Sequence, residues 1–450
     1  MAKSESIHVS QIEVKDLFGR FNYQIPSDSS NLSLPSGTML LYGDNGCGKT
    51  TILRLVFHTL AKAARAGHRT YLSRTKFMQL TMRFSDGTSV LVKKKNPDLL
   101  GTFDMILSRP KKPDISYTFE AEEDYRIPAR EHEPDDYYKL LDALSEIGLS
   151  LYFLTDTRTI MVDQSRIRPS QYQRSIPTED EILYRETLAE PRTQRRMEPE
   201  EIAQELVRNS VRRVNFLLGN QSIRASSRSE SNVNVLYREI IRRLVGSPEQ
   251  TIELEKERKE IIERIESLQK NSERFARFGL LPRFVGKEIL TNVKSASDDK
   301  MEVLSNVLTP YLDSLESKFN TLSDLQERIE LFVDTINRFY QGKMIRLDVR
   351  RGLSIQTQDR EVIQPEYLSS GERQLLLLFC NTLLTLNTPS LVLIDEPELS
   401  LNIKWQRSLL PSLLDFVSNS PIQFIFATHS FEILSEYIDH VTKLEQTSDA

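Results

Sequence analysis

The segment GDNGCGKT, at residues 43–50, constrains the fold of this chain more than any other stretch. It matches the pattern G-x-x-x-x-G-K-[ST], and it lies between the strand-like run TMLLY and the helix-like run TILRLVFHTLAKAARA. Glycines in such a turn let backbone N–H groups converge on phosphate oxygens, and the helix N-terminus adds partial positive charge. The segment therefore predicts an α/β fold with a phosphate site.

This loop supplies most of the predicted nucleotide contacts. Lys49 is expected to reach the β- and γ-phosphates, and Thr50 is expected to offer its hydroxyl to Mg²⁺. Cys47 is expected to contribute only its backbone N–H and its small size. The predicted cofactor-binding residues of the loop are Gly43, Asn45, Gly46, Gly48, Lys49, Thr50 and Thr51.

Composition excludes several classes of protein. The two cysteines, Cys47 and Cys380, are too few for a disulfide framework and lack the paired spacing of a zinc site. No apolar run approaches the roughly 18 residues of a membrane span, and the N-terminus lacks the apolar core of a signal peptide. A formal net charge of −5 argues against a globally basic nucleic-acid coat. We therefore expect a cytoplasmic protein without membrane contact.

The chain divides into three predicted zones, 1–157, 158–343 and 344–450. The first contains short alternating runs and a hairpin signal at Asp86-Gly87. The third contains a strand pair in 344–357 and the continuous aliphatic runs SLVLID and IQFIFATHS, which are typical of parallel strands buried on both faces. The middle zone has a helical pattern, so we predict a nucleotide-binding fold that is split in sequence by a helical insertion.

Two heptad patterns mark the helical zone. The first comprises Leu254, Ile261, Leu268 and Phe275, and the second begins at Leu308. Thr309-Pro310 is interpreted as the N-cap and first residue of the second helix. Two arrangements remain open: a compact helical bundle, or a short antiparallel coiled-coil arm whose tip lies within 277–300.

Two strand ends carry candidate catalytic residues. Asp395 and Glu396 follow a buried strand, at the edge where open α/β sheets bind their ligands. Asp395 is predicted to hold Mg²⁺ and Glu396 to polarise the attacking water. His429 ends the second aliphatic strand and is predicted to sense the γ-phosphate, although a lone histidine more often has a structural role.

The segment LSSGERQ, residues 368–374, precedes another helix. Its serines and glycine would present hydroxyl and N–H groups at a helix N-terminus, which is an anion site. Since the chain already has one phosphate loop, a second anion site makes sense if it faces the nucleotide held by another copy.

The segments GDNGCGKT, LSSGERQ, LVLIDEPELSLN and ATHS, in that order, resemble ABC-type ATPases of the SMC-like and RecF-like group. More narrowly, they resemble the ATPase modules of OLD-type and related bacterial defence proteins. The resemblance implies an ABC-type head with an inserted all-helical, coiled-coil domain, and ATP and Mg²⁺ as cofactors. It also implies slow hydrolysis that depends on oligomerisation, with Glu396 as catalytic base and His429 as switch histidine. The signature residues that it places on the partner's nucleotide are Ser369, Ser370, Gly371 and Glu372.

Some features depart from that family. Leu401-Asn402-Ile403 stands where the family often has a histidine, and the Mg²⁺-sensing glutamine has no clear counterpart. Gln79 is a weak candidate for that glutamine, and Arg158 is a candidate for the same neighbourhood. We expect no C-terminal Toprim nuclease domain after His429, so nuclease chemistry would belong to a separate protein.

A stand-alone ATPase of this size resembles the ATPase subunit of PARIS-type anti-phage systems. That resemblance implies a separate Toprim-type effector nuclease and a response to phage-encoded inhibitors of host defence. The span 158–228 has 13 arginines but also ten acidic residues, so it is interpreted as a solvated or partner-binding surface, with an acidic phage protein as one possible ligand.

The leading functional hypothesis is therefore an ATP-driven sensor or scaffold in anti-phage defence. We expect at least a homodimer, and heptad helices could join dimers into a ring. The alternative is an SMC/RecF-like DNA-repair ATPase, which leaves DNA binding open. A transporter motor ranks last, because it would need a membrane partner.

Overall fold

The computed structural model describes most of the chain, and its contacts divide the chain into two compact units. The described residues are 7–27, 34, 37–63, 66–128, 134–157, 160–163, 199–230, 237–238, 240–242, 254–418 and 420–444. One unit combines Met1–Leu206 with Asn381–Ala450, and the other comprises Val207–Cys380. The first unit is thus built from two segments that lie far apart in sequence. The domain boundaries at 157 and 343 stay a prediction.

The described elements alternate between strands and helices. The strands are β1 (Val9–Leu17), β2 (Phe21–Ile25), β3 (Met39–Tyr42), β4 (Gln79–Phe84), β5 (Ser89–Lys94), β6 (Phe103–Arg109), β7 (Lys112–Phe119), β8 (Ser150–Leu154), β9 (Ile160–Asp163), β10 (Lys343–Asp348), β11 (Gly352–Thr357), β12 (Val362–Ile363), β13 (Ser390–Asp395), β14 (Ile422–Thr428) and β15 (Val441–Lys443). The α-helices are α1 (Lys49–Leu60), α2 (His68–Arg74), α3 (Asp135–Glu146), α4 (Pro199–Glu230), α5 (Leu254–Arg277), α6 (Lys287–Ser295), α7 (Asp298–Phe339), α8 (Ser370–Thr385), α9 (Ile403–Val417) and α10 (Phe431–Leu434).

One sheet of the first unit is antiparallel, with six strands in the order β2-β1-β4-β5-β6-β7. The predicted hairpin at Asp86-Gly87 is confirmed, since β4 and β5 pair across it. Gly87 has a φ of +84°, a left-handed conformation that glycine adopts without strain. The Asp86 carboxylate accepts a hydrogen bond of 2.9 Å from the Thr88 N–H, which closes the turn.

The second sheet of this unit is mostly parallel, in the order β15-β3-β14-β13-β8-β9. The predictions for β13 and β14 are confirmed, because both strands are buried at every residue and pair in parallel. On either side of this pair, β8 joins β13 in parallel and β3 joins β14 in parallel. The carboxyl ends of β3, β14, β13 and β8 therefore meet at one edge, where such sheets bind ligands. The antiparallel strand β9 lies within the zone that was predicted to be helical.

Helix α1 packs on the parallel sheet against β8, β13 and β14. Its apolar side chains Ile52, Leu53 and Val56 are fully buried, and this burial drives the helix onto the sheet. Its C-terminal end is held by Arg69, whose guanidinium donates to the carbonyl oxygens of His58, Thr59 and Ala61. These bonds satisfy carbonyls that a helix end leaves without partners, so the phosphate loop leads into a helix fixed at both ends.

The second unit contains the long helices and a small antiparallel sheet of β10, β11 and β12. The predicted strand pair in 344–357 is confirmed by the pairing of β10 with β11. Helices α5 and α7 lie side by side, and Phe275 meets Phe319 edge to face with ring centroids 4.7 Å apart. The heptad residues Ile261 and Ile329 are fully or almost fully buried.

The antiparallel arm considered from the sequence is wrong, because α5 and α7 run in the same direction. Arg264 pairs with Glu316, and Arg277, further along α5, pairs with Asp334, further along α7. The intervening chain returns along α5: Phe284 N–H donates to Ser272, and Lys294 lies 3.5 Å from Glu266. Helix α6 is therefore the antiparallel return between two parallel helices.

The predicted start of the second long helix is also wrong. Helix α7 begins at Asp298 after Ser297, and Pro310 lies inside the helix. A proline in the first turn of a helix cannot be told from one in the interior by sequence alone. The two differ only in the structure, where the interior proline removes a backbone hydrogen bond of the helix. Met301 and Ser305, in the turns before Pro310, are buried, so tertiary packing stabilises the helix on the N-terminal side of the proline.

Some predictions lie outside the described residues. These include Arg158 and the arginine-rich stretch at 192–196. Among the described residues, no helix is both long and apolar enough to cross a membrane.

The parallel order of α5 and α7 can be tested through the ion pair of Arg264 with Glu316. Both carboxylate oxygens of Glu316 accept from the guanidinium, at 2.8 and 2.9 Å. In urea unfolding, a double-mutant cycle of Arg264→Ala and Glu316→Ala should give a coupling energy of about 1 kcal/mol. The exposed pair Arg283–Glu273, at 3.7 Å, is the control and should give almost none. Equal coupling in both cycles would contradict this helix pairing.

Candidate functional site

The phosphate loop joins β3 to α1 in a conformation that its glycines allow. Gly46 and Gly48 have φ values of +85° and +94°, which strain other residues. A Cβ at Gly43 would lie 2.8 Å from the Cys47 sulfur, so a larger residue does not fit there. Asn45 and Gly46 are exposed at the tip, whereas Thr50 and Thr51 lie partly buried in the first turn of α1. The loop is thus a tight turn with its tip and the helix N-terminus available to a ligand.

Lys49 crosses this loop. Its ammonium group donates to the carbonyl oxygens of Gly43, at 2.8 Å, and Asp44, at 3.1 Å. Although the side chain is only 4% exposed, both bonds are to neutral acceptors. An anion at the loop would therefore offer this charge a stronger partner than it has now.

Tyr23 also holds the loop, and no pattern in the sequence predicts this role. Its hydroxyl donates to the Cys47 carbonyl oxygen at 3.0 Å, and its ring stacks on Phe21. Burial raises the pKa of Tyr23 to about 12, so the hydroxyl remains a donor at all physiological pH values. The antiparallel sheet thereby contributes to the shape of the phosphate loop through β2.

Asp395 ends β13, and its buried carboxyl group has a raised pKa. The residue is 1% exposed, and neither carboxylate oxygen accepts a hydrogen bond of ordinary geometry from the described residues. Burial raises its pKa to about 6; the nearby Thr50 hydroxyl and Arg54 lower it, whereas Asp156 and Glu396 raise it further. A cation would stabilise a carboxylate in this state.

Asp156 is a second acidic residue that the sequence reasoning missed. It follows β8, whose Leu154 pairs with Ile394, so it lies next to the end of β13. It forms an ion pair of 3.6 Å with Arg54 of α1. The signal was present, because LYFLTD ends an apolar strand in an acid as LVLID does. Gln79, the weak candidate for the Mg²⁺ sensor, lies instead on β4 and donates to the Thr81 hydroxyl.

Glu396, Glu398 and His429 form a cluster beside Asp395. The Nδ1 atom of His429 lies 3.2 Å from one carboxylate oxygen of Glu396 and 3.2 Å from one of Glu398. The three residues each offer a ligand atom within 4.8 Å of the others, so the set could also hold a cation. Glu396 is partly exposed and has a left-handed φ of +46°, a conformation that turns the chain away from the strand.

The LSSGERQ turn lies in the second unit, at the start of α8. Ser369 and Glu372 form a reciprocal capping box: Glu372 N–H donates to the Ser369 hydroxyl, and Ser369 N–H donates to the Glu372 carboxylate at 2.7 Å. Lys343 also donates to this carboxylate, and Tyr340 donates to the Glu372 carbonyl oxygen. Glu372 is thus buried and occupied in holding the turn, whereas Ser369 is exposed.

Comparison with known families supports an ATPase domain of the AAA/ABC type. Residues 222–435 match the family described as "AAA domain, putative AbiEii toxin, Type IV TA system". This span contains the 369–372 turn, Asp395, Glu396 and His429, but not the phosphate loop. The chain is also similar to the molybdenum import ATP-binding protein ModC of Shewanella oneidensis, with 34% identity over 82 residues. That match covers 18% of this chain and 22% of ModC.

Solved structures of Smc heads are similar at low identity. The Smc head domain with an extended coiled coil from Pyrococcus furiosus, bound to the C-terminal domain of ScpA, has 14% identity and a TM-score of 0.40, covering 95% of this chain and 91% of that one. The Smc head with a coiled coil and joint from Pyrococcus yayanosii has 14% identity and a TM-score of 0.37, covering 95% and 93%. These identities and TM-scores are too low to assign the fold, which is defined instead by the sheet order β15-β3-β14-β13-β8-β9.

Asp395→Asn should stabilise the chain, because it removes a buried negative charge. Because the folded pKa lies near 6 and the ordinary value is 3.8, the folded chain binds the proton more tightly, and the free energy of unfolding falls as pH rises through that window. At pH 7.5 without Mg²⁺, we expect the variant to be more stable by about 1–3 kcal/mol. Thermal unfolding with and without Mg²⁺ measures this.

The pH dependence serves as the control for that comparison. Below about pH 3 the wild-type carboxyl is mostly protonated in both states, so the difference should become small. A variant that is less stable than the wild type at pH 7.5 would contradict the description of Asp395 as an unsatisfied charge.

Proposed function

We propose that this chain binds ATP with Mg²⁺ and hydrolyses it to ADP and phosphate at the edge where β3, β13, β14 and β8 end. The observation that carries the proposal is the carboxylate of Asp395, which is buried near Thr50 of the phosphate loop and accepts no hydrogen bond of ordinary geometry from the described residues. In a metal–nucleotide site, a phosphate loop binds the phosphates and a carboxylate at the same sheet edge holds the metal ion.

The donor set fits Mg²⁺, which prefers oxygen ligands. Asp395 and the Thr50 hydroxyl would hold the ion, and Asp156 adds a second negative charge on the neighbouring strand. When bound, Mg²⁺ neutralises charge on the phosphates. The same ion would offset the free-energy cost of burying this carboxylate.

The chain's own groups then have distinct tasks. Lys49 exchanges its bonds to Gly43 and Asp44 for bonds to the phosphates, and the N-terminus of α1 supports the negative charge. Glu396 accepts a proton from the water that attacks the γ-phosphorus, while the bond from that phosphorus to the bridging oxygen of ADP breaks. His429, beside Glu396, contacts the γ-phosphate.

The LSSGERQ turn is proposed to act on ATP held by another copy. Ser369 and Ser370 would contact that nucleotide, with Gly371 allowing close approach. Glu372, together with Lys343, is proposed to hold the turn rather than to bind phosphate, because its carboxylate already accepts two hydrogen bonds. One phosphate loop and one such turn per chain make hydrolysis depend on a homo-oligomer.

We further propose that ATP-driven assembly controls a separate effector nuclease in anti-phage defence, as in PARIS-type systems. The matching family is described as "AAA domain, putative AbiEii toxin, Type IV TA system", and a toxin–antitoxin system comprises two proteins, so that description supports a role alongside a separate partner. The second unit, Val207–Cys380, which contains the long helices and is called the helical unit below, is the proposed sensor of an acidic phage protein. The alternative function is an SMC/RecF-like DNA-repair ATPase.

Glu396→Gln should separate ATP binding from hydrolysis. We expect the rate to fall at least about 100-fold, because the water loses its proton acceptor while the loop is untouched. The variant should retain ATP and remain in the larger assembly by light scattering, and Lys49→Ala, the matched control, should retain none. Unchanged hydrolysis by Glu396→Gln would overturn the proposed chemistry. Stimulation of the wild type by duplex DNA, weakening with salt, would favour the DNA-repair alternative.

Mixing two inactive variants tests whether the site is shared between copies. Lys49→Ala keeps the turn, and Ser369→Arg keeps the phosphate loop. In a one-to-one mixture, half of the dimers would carry one intact site out of two, so about a quarter of wild-type activity should return. A mixture as inactive as its components would contradict action in trans. The same mixture of Lys49→Ala with Glu396→Gln, both on the loop side, is the control and should stay inactive.

A further inference from the structure

We infer that Glu398 is a positioning residue that sets both the loop and the ring orientation of His429, an inference that rests on the proposed ATP hydrolysis. Glu398 is 5% exposed, whereas the His429 side chain is 44% exposed. Since its oxygen lies 3.2 Å from the more exposed His429 ring, the Glu398 carboxylate is placed to act through that histidine.

One oxygen of Glu398 binds three consecutive residues at the end of β14. Its Oε1 atom accepts from the Thr428 hydroxyl at 2.6 Å, from the His429 N–H at 2.9 Å and from the Ser430 N–H at 3.1 Å. These are charge-assisted bonds in a buried place, where they are stronger than bonds between neutral groups. The carboxylate therefore fixes the backbone from which His429 projects.

The same oxygen constrains the imidazole. It lies 3.2 Å from Nδ1, as does Glu396 Oε2. Both are ion-pair distances, and two negative charges facing Nδ1 favour a hydrogen on that atom. In the neutral ring that leaves Nε2 as the acceptor. Glu398 thus selects the tautomer of His429 and leaves one Glu396 oxygen in contact with the ring.

Further bonds tie the segment after β13 to the segment after β14. The Ser430 hydroxyl donates to the Gln406 side-chain oxygen at 2.8 Å, and the Gln406 amide donates to the Leu401 carbonyl oxygen at 2.8 Å. Glu396 and Ser400 both have positive φ values, of +46° and +66°. Two such conformations in non-glycine residues persist only where the surroundings hold them, and Glu398 lies between them.

The remaining oxygen, Oε2, is buried without a hydrogen-bond partner among the described residues. A carboxylate kept for stability alone would be expected to use both oxygens, because an unsatisfied buried charge costs free energy. The negative charge itself is therefore the property that this position supplies to His429.

Glu398→Gln tests the inference, since the amide keeps the shape and the accepting oxygen but removes the charge. We expect kcat for ATP to fall about 10- to 100-fold with KM within about twofold, because the fault lies in orientation and not in ATP binding. The matched control is Glu432→Gln, another carboxylate near the end of β14, which pairs with Arg407 at 2.6 Å. It should leave kcat unchanged.

A second measurement reads the ring directly. Long-range ¹H–¹⁵N spectra of the histidines, with His429 assigned from a His429→Gln variant, should show hydrogen on Nδ1 in the wild type and a changed tautomer balance in Glu398→Gln. A wild-type kcat for Glu398→Gln overturns the inference whatever the ring signals show.

Should the wild-type chain fail to hydrolyse ATP, the proposed function fails, and the ring spectra alone decide the inference. Unchanged His429 signals in Glu398→Gln would then overturn it, and altered ones would uphold it.

Discussion

The parallel pairing of β13 with β14 and β8 is the constraint on which the rest of the site depends. Because paired parallel strands end at one edge, residues from distant parts of the chain arrive there together. Asp395 comes from β13, His429 follows β14 and Asp156 follows β8. Pairing of β14 with β3 then aligns this edge with the phosphate loop at 43–50. A shift of one strand by a single residue would move its terminal side chain to the opposite face of the sheet.

The chemistry of this edge follows from its unbalanced charge. Among the described residues, Asp395 accepts no hydrogen bond of ordinary geometry, Asp156 has an ion pair with Arg54, and one oxygen of Glu398 has no hydrogen-bond partner. Such groups cost stability in the free chain. They are retained at the place where a cation and a nucleotide would satisfy them, which is a common compromise between stability and activity. Tyr23 and Arg69, by contrast, add stability, because their hydrogen bonds hold the loop and the helix that position the site.

The helical unit shows how a correct pattern can leave an arrangement undecided. The heptads predicted two long helices with buried seams, and α5 and α7 are there. A heptad pattern reads the same for parallel and antiparallel neighbours, because the apolar stripe has no direction. The direction depends on the return through α6, which is short and weakly patterned. Pro310 posed a similar problem, since a proline is tolerated at a helix start yet lies within α7, where packing outweighs its local preference.

Local sequence patterns are enough to predict the phosphate loop, the buried strands β13 and β14 and the residues at their ends. These features are local: a glycine turn, an aliphatic run or an acid after a strand is written in a few consecutive positions. Tertiary contacts were needed to identify the roles of Tyr23, Asp156 and Glu398. Tyr23 binds Cys47 across 24 positions, and Glu398 binds His429 across 31. Hydrogen bonds and charges across such distances depend on which strands become neighbours, and no local period in the sequence encodes that choice.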